Sequence, residues 1–235
     1  MTVIHGDISQ ETQFLQTVAK ALGRDRALTA APARKEAGPP AFWREQKFEN
    51  TQPLALFKSN LEALTGKVVI VRNGNEATNQ IKLWLKILNA KSAILWDHPT
   101  LREYIEYAEL GVQTTFWNNE KSRRELIEIA EQSDVGITWV DYAIGYTGTV
   151  ALFNGAFTGR SVSLLPPTHI AVMRQSDIVP TMSTVMRDLL ERCGQGNLPS
   201  AVDFITGPSR TSDIEMDLSI GVHGPVRIWT IVIED

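Results

Sequence analysis

From Lys67 to Val140 short β-branched runs alternate with amphipathic stretches, and few folds accept that order. KVVIVR (67–72) is followed by the turn NGN and the helical pattern EATNQIKLWLKILN (76–89). SAILWD (92–97) is followed by the His98-Pro99 turn and TLREYIEYAELG (100–111), and VQTTFW (112–117) by KSRRELIEIAEQ (121–132). DVGITWV (134–140) closes the series. Apolar strands without polar alternation need both faces covered, which a parallel sheet between helical layers supplies. Strand starts are about 20–25 residues apart, the size of one βα unit, so the pattern predicts a parallel sheet and not a solenoid.

After Asp134 the rhythm changes. TVALF (149–153), SVSLLP (161–166) and HIAVM (169–173) lie close together with no helical pattern between them, and predict a hairpin or meander added to the sheet. A helix over Thr181–Cys193 and a final strand–loop–strand, AVDFIT (201–206) and VRIWTIVI (226–233), complete the chain. Helices early and hairpins late predict a three-layer α/β/α fold with a mixed, mostly parallel sheet. Upstream, ISQETQFLQTVAKALG (8–23) reads as a first helix stopped at Gly23. The Ala-, Pro- and charge-rich stretch Arg24–Pro40 reads as a linker or arm, and FWREQKFEN (42–50) offers aromatics that could anchor it. PLALFKSNLEALTG (53–66) is a second helix closed by Gly66. The expected division is a helical arm over residues 1–50 and an α/β domain over 51–235.

A net charge of −4 argues against nucleic acid as the main partner, because phosphate binding needs a basic face. Cys193 is the sole cysteine, so an internal disulfide is excluded, and an iron–sulfur cluster would lack its usual four thiolates. The N-terminus shows no basic start followed by an apolar run, and no stretch approaches the roughly 20 apolar residues of a membrane span. The expectation is a cytoplasmic protein with no membrane contact. Its four histidines do not pair at ligand spacing, so no metal site is expected. The dinucleotide and phosphate-loop fingerprints are absent, as is the G-x-S-x-G elbow.

The segment most suggestive of chemistry is GPSRTSDIEMDLSIGVHGP (207–225). Two Gly-Pro pairs frame hydroxyls and carboxylates, and apolar runs flank the whole, as for a packed loop presenting polar groups at a strand end. Asp213 and Glu215 would share a face on a strand and diverge on a helix. They are candidates for general acid/base work, or alternatively a helix cap and a solvated acid. His223 is a candidate proton-transfer group or a fixed turn residue. Ser209 and Thr211 are ligand-binding candidates or caps, and Arg210 would hold a carboxylate or neutralise the two acids. With Gly207 they make one side of the expected site. The other is GYTGT, where Gly145, Thr147, Gly148 and Thr149 could cradle a phosphate or carboxylate, or simply turn the chain between two strands. Ligands of open α/β sheets bind beyond the strands' carboxyl ends. Four polar loops follow strands, Arg72–Asn75, Asp97–His98, Asp141–Thr149 and Gly207–Glu215, and all four are expected at one edge.

Three blocks carry a family resemblance: Gly207–Pro225, DVGITWVDYAIGYTGTVAL (134–152) and SVSLLPPTHIAVM (161–173). In this order and spacing the chain resembles the lactate-utilisation protein C family, the LUD-domain proteins, over roughly its last hundred residues. The resemblance implies a NagB/RpiA/CoA-transferase-like fold and a subunit without a cluster in a system that oxidises lactate, acting with iron–sulfur partner proteins and carrying no cofactor of its own. It leaves open a second reading, a stand-alone enzyme of isomerase, CoA-transferase or cyclo-ligase type that binds a phosphorylated or carboxylated small molecule. Whether the chain catalyses alone and whether it forms a homo-oligomer both stay open.

Overall fold

The computed structural model of the chain describes residues 11–28, 30, 52–212, 218–220 and 224–234. Two compact units divide the chain, residues 1–47 and 48–235. In the first, helix α1 spans Glu11–Ala21. The Gln16 side chain donates to the Asp25 carbonyl (2.8 Å) and accepts from Ala27 N–H (3.1 Å), folding the following residues back onto the helix.

The second unit is built on a six-stranded sheet in the order β1-β12-β7-β4-β2-β3. Its strands are β1 (Lys67–Val71), β2 (Ser92–Trp96), β3 (Gln113–Trp117), β4 (Val135–Trp139), β7 (Thr168–Arg174) and β12 (Arg227–Ile233). All its pairings are parallel. Antiparallel pairs occur instead in a second, four-stranded sheet, β8-β5-β6-β9, made of β5 (Tyr142–Ile144), β6 (Thr149–Asn154), β8 (Ile178–Val179) and β9 (Ala201–Ile205). There β6 is antiparallel to both β5 and β9, while β5 and β8 are parallel. A short ladder, β10 (Arg210–Ser212) with β11 (Leu218–Ile220), stands apart.

Helix α2 (Pro53–Ala63) starts with proline, whose missing N–H no helix start requires. It packs on β1 and on β5 and β8 of the second sheet. Helix α3 (Gly74–Ile87) is capped by Asn73, which accepts from Glu76 N–H, and buries Ala77, Ile81, Trp84 and Leu85. Helix α4 (Pro99–Tyr104) carries the chain outward from β2 to β3; α5 (Arg123–Gln132), opened by a Ser122–Glu125 capping box, carries it back across β2 to β4. Right-handed crossovers in opposite directions place these two helices on opposite faces, giving three layers. Helix α7 (Met182–Gly194) covers the second sheet, where Val185 packs with Ile144, Ala151 and Phe153.

Three local expectations change. TLREYIEYAELG is not one helix: α4 stops at Tyr104, Ile105 is extended and buried, and a 3-10 turn follows at Tyr107–Glu109. The Thr78 hydroxyl accepts from Glu106 N–H (3.1 Å), which holds the break. SVSLLP is not a strand but a single helical turn, α6 (Ser161–Leu164), lying against β4, β7 and β2. Gly136 in β4 makes this possible, because a Cβ there would run into the Val162 carbonyl. HIAVM lies in no meander. It runs through the middle of the main sheet between β12 and β4, every residue buried.

Candidate functional site

The candidate residues of the GYTGT turn form the loop of the β5–β6 hairpin. Three of its amides already donate to main-chain carbonyls: Gly145 to Val179 (2.8 Å), Tyr146 to Pro180 (3.0 Å) and Gly148 to Ile144 (3.0 Å). An anion cradle needs those N–H groups free. The glycines instead permit close approach to α2, since a Cβ at Gly145 would strike Pro53 and one at Gly148 would strike Asn60 and Leu61. Asn60 Nδ2 donates to the Gly145 and Tyr146 carbonyls (2.9 and 3.0 Å), fixing the turn on the helix. The hydroxyls point elsewhere: Thr147, Thr149 and Thr206 form a chain with O–O separations of 2.7 Å at each step.

That chain joins the turn to the second candidate segment, because β6 and β9 pair antiparallel and Thr149 lies opposite the end of β9. The expectation that four polar loops share one edge fails here. Arg72–Asn75, Asp97–His98 and Asp141 do follow β1, β2 and β4 at the carboxyl edge of the main sheet. Gly207 follows β9 of the second sheet, and its loop reaches the amino edge: Ser209 N–H donates to the Pro225 carbonyl (2.9 Å) just before β12, and Val226 N–H to the Pro167 carbonyl (2.9 Å) just before β7. Arg210 donates to the Leu64 carbonyl at the end of α2. Thr211 lies in the β10 ladder opposite Ser219. Asp213, Glu215 and His223 lie outside the described residues.

At this amino edge a cavity of about 250 Å³ is lined by Ser163, His169, Thr206, Gly207, Ser209 and Gly224, with Leu164, Phe204, Ile205, Pro225 and Ile228. The sequence reading did not single out His169. It is 1% exposed, and its Nε2 lies 2.8 Å from the buried Thr138 hydroxyl. Its Nδ1 has no hydrogen-bond partner among the described residues. Burial pushes its pKa down to about 3, so the ring is neutral. A lone histidine in an apolar strand gives no local sequence signal; only the cavity marks it.

The carboxyl edge is chemically different. The chain leaves β2 toward β3 and leaves the neighbouring β4 in the opposite direction, toward β7, so the sheet's switch point falls between Asp97–His98 and Val140–Asp141. Trp139, at the end of β4, stacks on His98 (centroids 6.2 Å, 5°) and on Tyr104 (5.6 Å, 26°), and the Arg174 guanidinium lies 5.8 Å from its ring centroid. Arg174 is paired with Asp177 (3.0 Å), and Arg102 with Asp97 while lying 3.8 Å over Phe116. His98 is lowered by burial. Asp141 is pushed up to about 7, chiefly by burial, although it accepts a 2.7 Å bond from Phe153 N–H; Arg192 pulls it down and Asp177 pushes it up. A carboxyl group that titrates near neutrality at a switch point can take and return a proton. In the sequence Asp97, His98 and Asp141 are marked only as polar residues ending apolar strands; the burial that distinguishes His98 and Asp141 is created by the fold.

No group of three or more His, Cys, Asp or Glu side chains is placed to hold a metal among the described residues. Cys193 is exposed at the end of α7. No helix among the described residues is long and apolar enough to cross a membrane.

Fold and site together define an open-sheet α/β protein with a second small sheet and polar chemistry at both ends of its central strands. The chain belongs to the LUD domain family, whose match covers residues 54–233. It is similar to the lactate utilization protein C of Halalkalibacterium halodurans, 35% identical over 232 residues, 97% of this chain and 99% of that protein. The lactate utilization protein C of Bacillus subtilis is 30% identical over 238 residues, 98% of each chain. Among solved structures, a DUF162 family protein from Deinococcus radiodurans superposes with a TM-score of 0.54 at 23% identity, covering 77% of this chain and 96% of that one, a likeness of fold.

Proposed function

We propose that this protein serves lactate utilisation as the component without an iron–sulfur cluster, acting in the cytoplasm with iron–sulfur partner proteins that receive the two electrons released when L-lactate becomes pyruvate. The observation that carries this reading is the end-to-end likeness to relatives named lactate utilization protein C, at 35% identity over 97% of the chain. The single, exposed thiol supports it further, since any four-thiolate cluster would have to sit on another chain. Deleting the gene in its host and measuring growth on L-lactate as sole carbon source tests the role. Loss of growth, restored by the gene in trans, is expected; undiminished growth overturns it. Affinity capture with iron measured in the captured proteins tests the partners, and capture of iron-free proteins alone rejects them.

A second reading, an enzyme acting alone on a small carboxylated or phosphorylated molecule, is favoured by one observation. Asp141 titrates near neutrality at the switch point. It predicts that Asp141→Asn abolishes growth on lactate while the folded protein accumulates normally.

A further inference from the structure

We propose that the amino-edge cavity is a binding site for an uncharged part of a small molecule bearing a carbonyl or similar acceptor oxygen, with His169 Nδ1–H as the donor that receives it. The cavity walls come from four places: β7 and β12 of the main sheet, α6 over their face, β9 of the second sheet, and the Gly207–Ser209 and Gly224–Pro225 segments at the mouth. His169 and Ile228 are register partners on neighbouring strands, so their side chains share the sheet face that floors it.

The tautomer follows from counting buried polar groups. Suppose Nε2–H donated to Thr138. The Thr138 hydroxyl proton and the Nδ1 lone pair would then both lack a protein partner. If the Thr138 hydroxyl donates to Nε2, only Nδ1–H is left. The second arrangement leaves fewer buried groups unmet, and its one unmet group is a donor on a residue that lines the cavity. The other hydroxyls are engaged or peripheral. Ser163 Oγ donates to the Arg160 carbonyl (3.0 Å), Thr206 closes the threonine chain, and Ser209 stands half-buried at the mouth.

Charge selects the ligand. None of the described lining residues is an Asp, Glu, Lys or Arg. A carboxylate or phosphate brought inside would lose its hydration with no cation to meet it, whereas a carbonyl oxygen would gain the Nδ1–H bond and leave the rest of its molecule against Leu164, Phe204, Ile205 and Ile228. This inference does not rest on the lactate role and survives its failure, because it concerns what enters one cavity of the folded chain.

Benzamide and benzoate, near-identical in shape and different in charge, make the probe pair for the full-length protein. Nitrogen-15 spectra of labelled histidine rings, with His169 assigned through His169→Gln, should show a saturable shift of its Nδ1 with benzamide. Benzoate should bind weaker by about tenfold or more. Ligand-observed saturation transfer needs no assignment and covers the case in which His169→Gln does not fold. There the benzamide signal should vanish on Ser209→Trp, which fills the mouth. Equal or tighter binding of benzoate overturns the proposal. So does the absence of any saturable benzamide effect, or an effect that Ser209→Trp leaves unchanged.

Discussion

The same parallel strands end in two unlike places. At the amino edge, β7 and β12 floor a cavity whose described lining residues carry no charged side chain, and His169 among them is held neutral. At the carboxyl edge, β2 and β4 end near Asp97, His98 and Asp141 and the ion pairs Arg102–Asp97 and Arg174–Asp177, with His98 and Arg174 against the Trp139 ring. Burial acts at both ends, with opposite consequences. It keeps the base His169 unprotonated at one end and raises the acid Asp141 to titrate near neutrality at the other. One end is suited to hold something uncharged and the other to move a proton, and only the carboxyl edge carries the position at which open sheets of this kind place ligands.

The largest expected effect breaks the amino edge outright. Gly136→Ala pushes a methyl group into the Val162 carbonyl and must displace α6, which roofs the cavity. A loss on the order of 3 kcal/mol is expected in chemical denaturation. A loss below about 0.5 kcal/mol, the range of an ordinary surface change, would show that α6 is not held against β4 as described.

Next comes the opposed titration. Asp141 is raised from 3.8 to about 7, so it stays protonated in the fold while it ionises in the unfolded chain; its contribution is present at acid pH and is lost as pH rises toward 7. His169 is lowered from 6.5 to about 3, so its contribution is complete above 6.5 and is lost as pH falls toward 3. Between about pH 4 and 6.5 the two slopes oppose each other. Asp141→Asn keeps an acceptor for Phe153 N–H and removes one slope. It should gain about 2 kcal/mol relative to wild type at pH 8 compared with pH 5, a figure discounted for the carboxyl's partial exposure. His169→Gln should flatten the acid side of the profile. If stability measured across this range gives both variants the wild-type profile, the contrast between the two ends is wrong.

The core strands were legible because each of β1 to β4 is a short apolar run closed by a polar residue, and α3 and α5 carry their caps in Asn73 and Ser122. Sheet order was not legible. Nothing local in HIAVM says that it pairs with VRIWTIVI on one side and with DVGITWV on the other, each more than thirty residues away. The same blindness misplaced the Gly207 loop. A strand end is readable from sequence, but the sheet it belongs to depends on long-range pairing, and β9 went to the small sheet. α6 was missed because a helix of four residues has no period to read. His169 gave no local signal, while Asp141 was visible as a strand-end acid whose unusual titration arises from burial that only the fold creates.

The smallest expected effect concerns what ties the β5–β6 turn to the segment that follows β9. Thr149 sits between Thr147 and Thr206 in the hydroxyl chain, 2% exposed, and Thr149→Val keeps its shape while removing the central oxygen. Neither neighbour titrates in the ordinary range, so the loss should be about 1 kcal/mol and the same at pH 5 and pH 8. That flatness separates it from the two titrating variants and makes it their control. The partly exposed Thr147 and exposed Thr206 can turn to solvent once Thr149 is gone, which keeps the loss small. A loss above about 2 kcal/mol would mean that both hydroxyls stay buried without partners. The Gly207 segment would then be anchored through this chain, and the mouth of the cavity would depend on it.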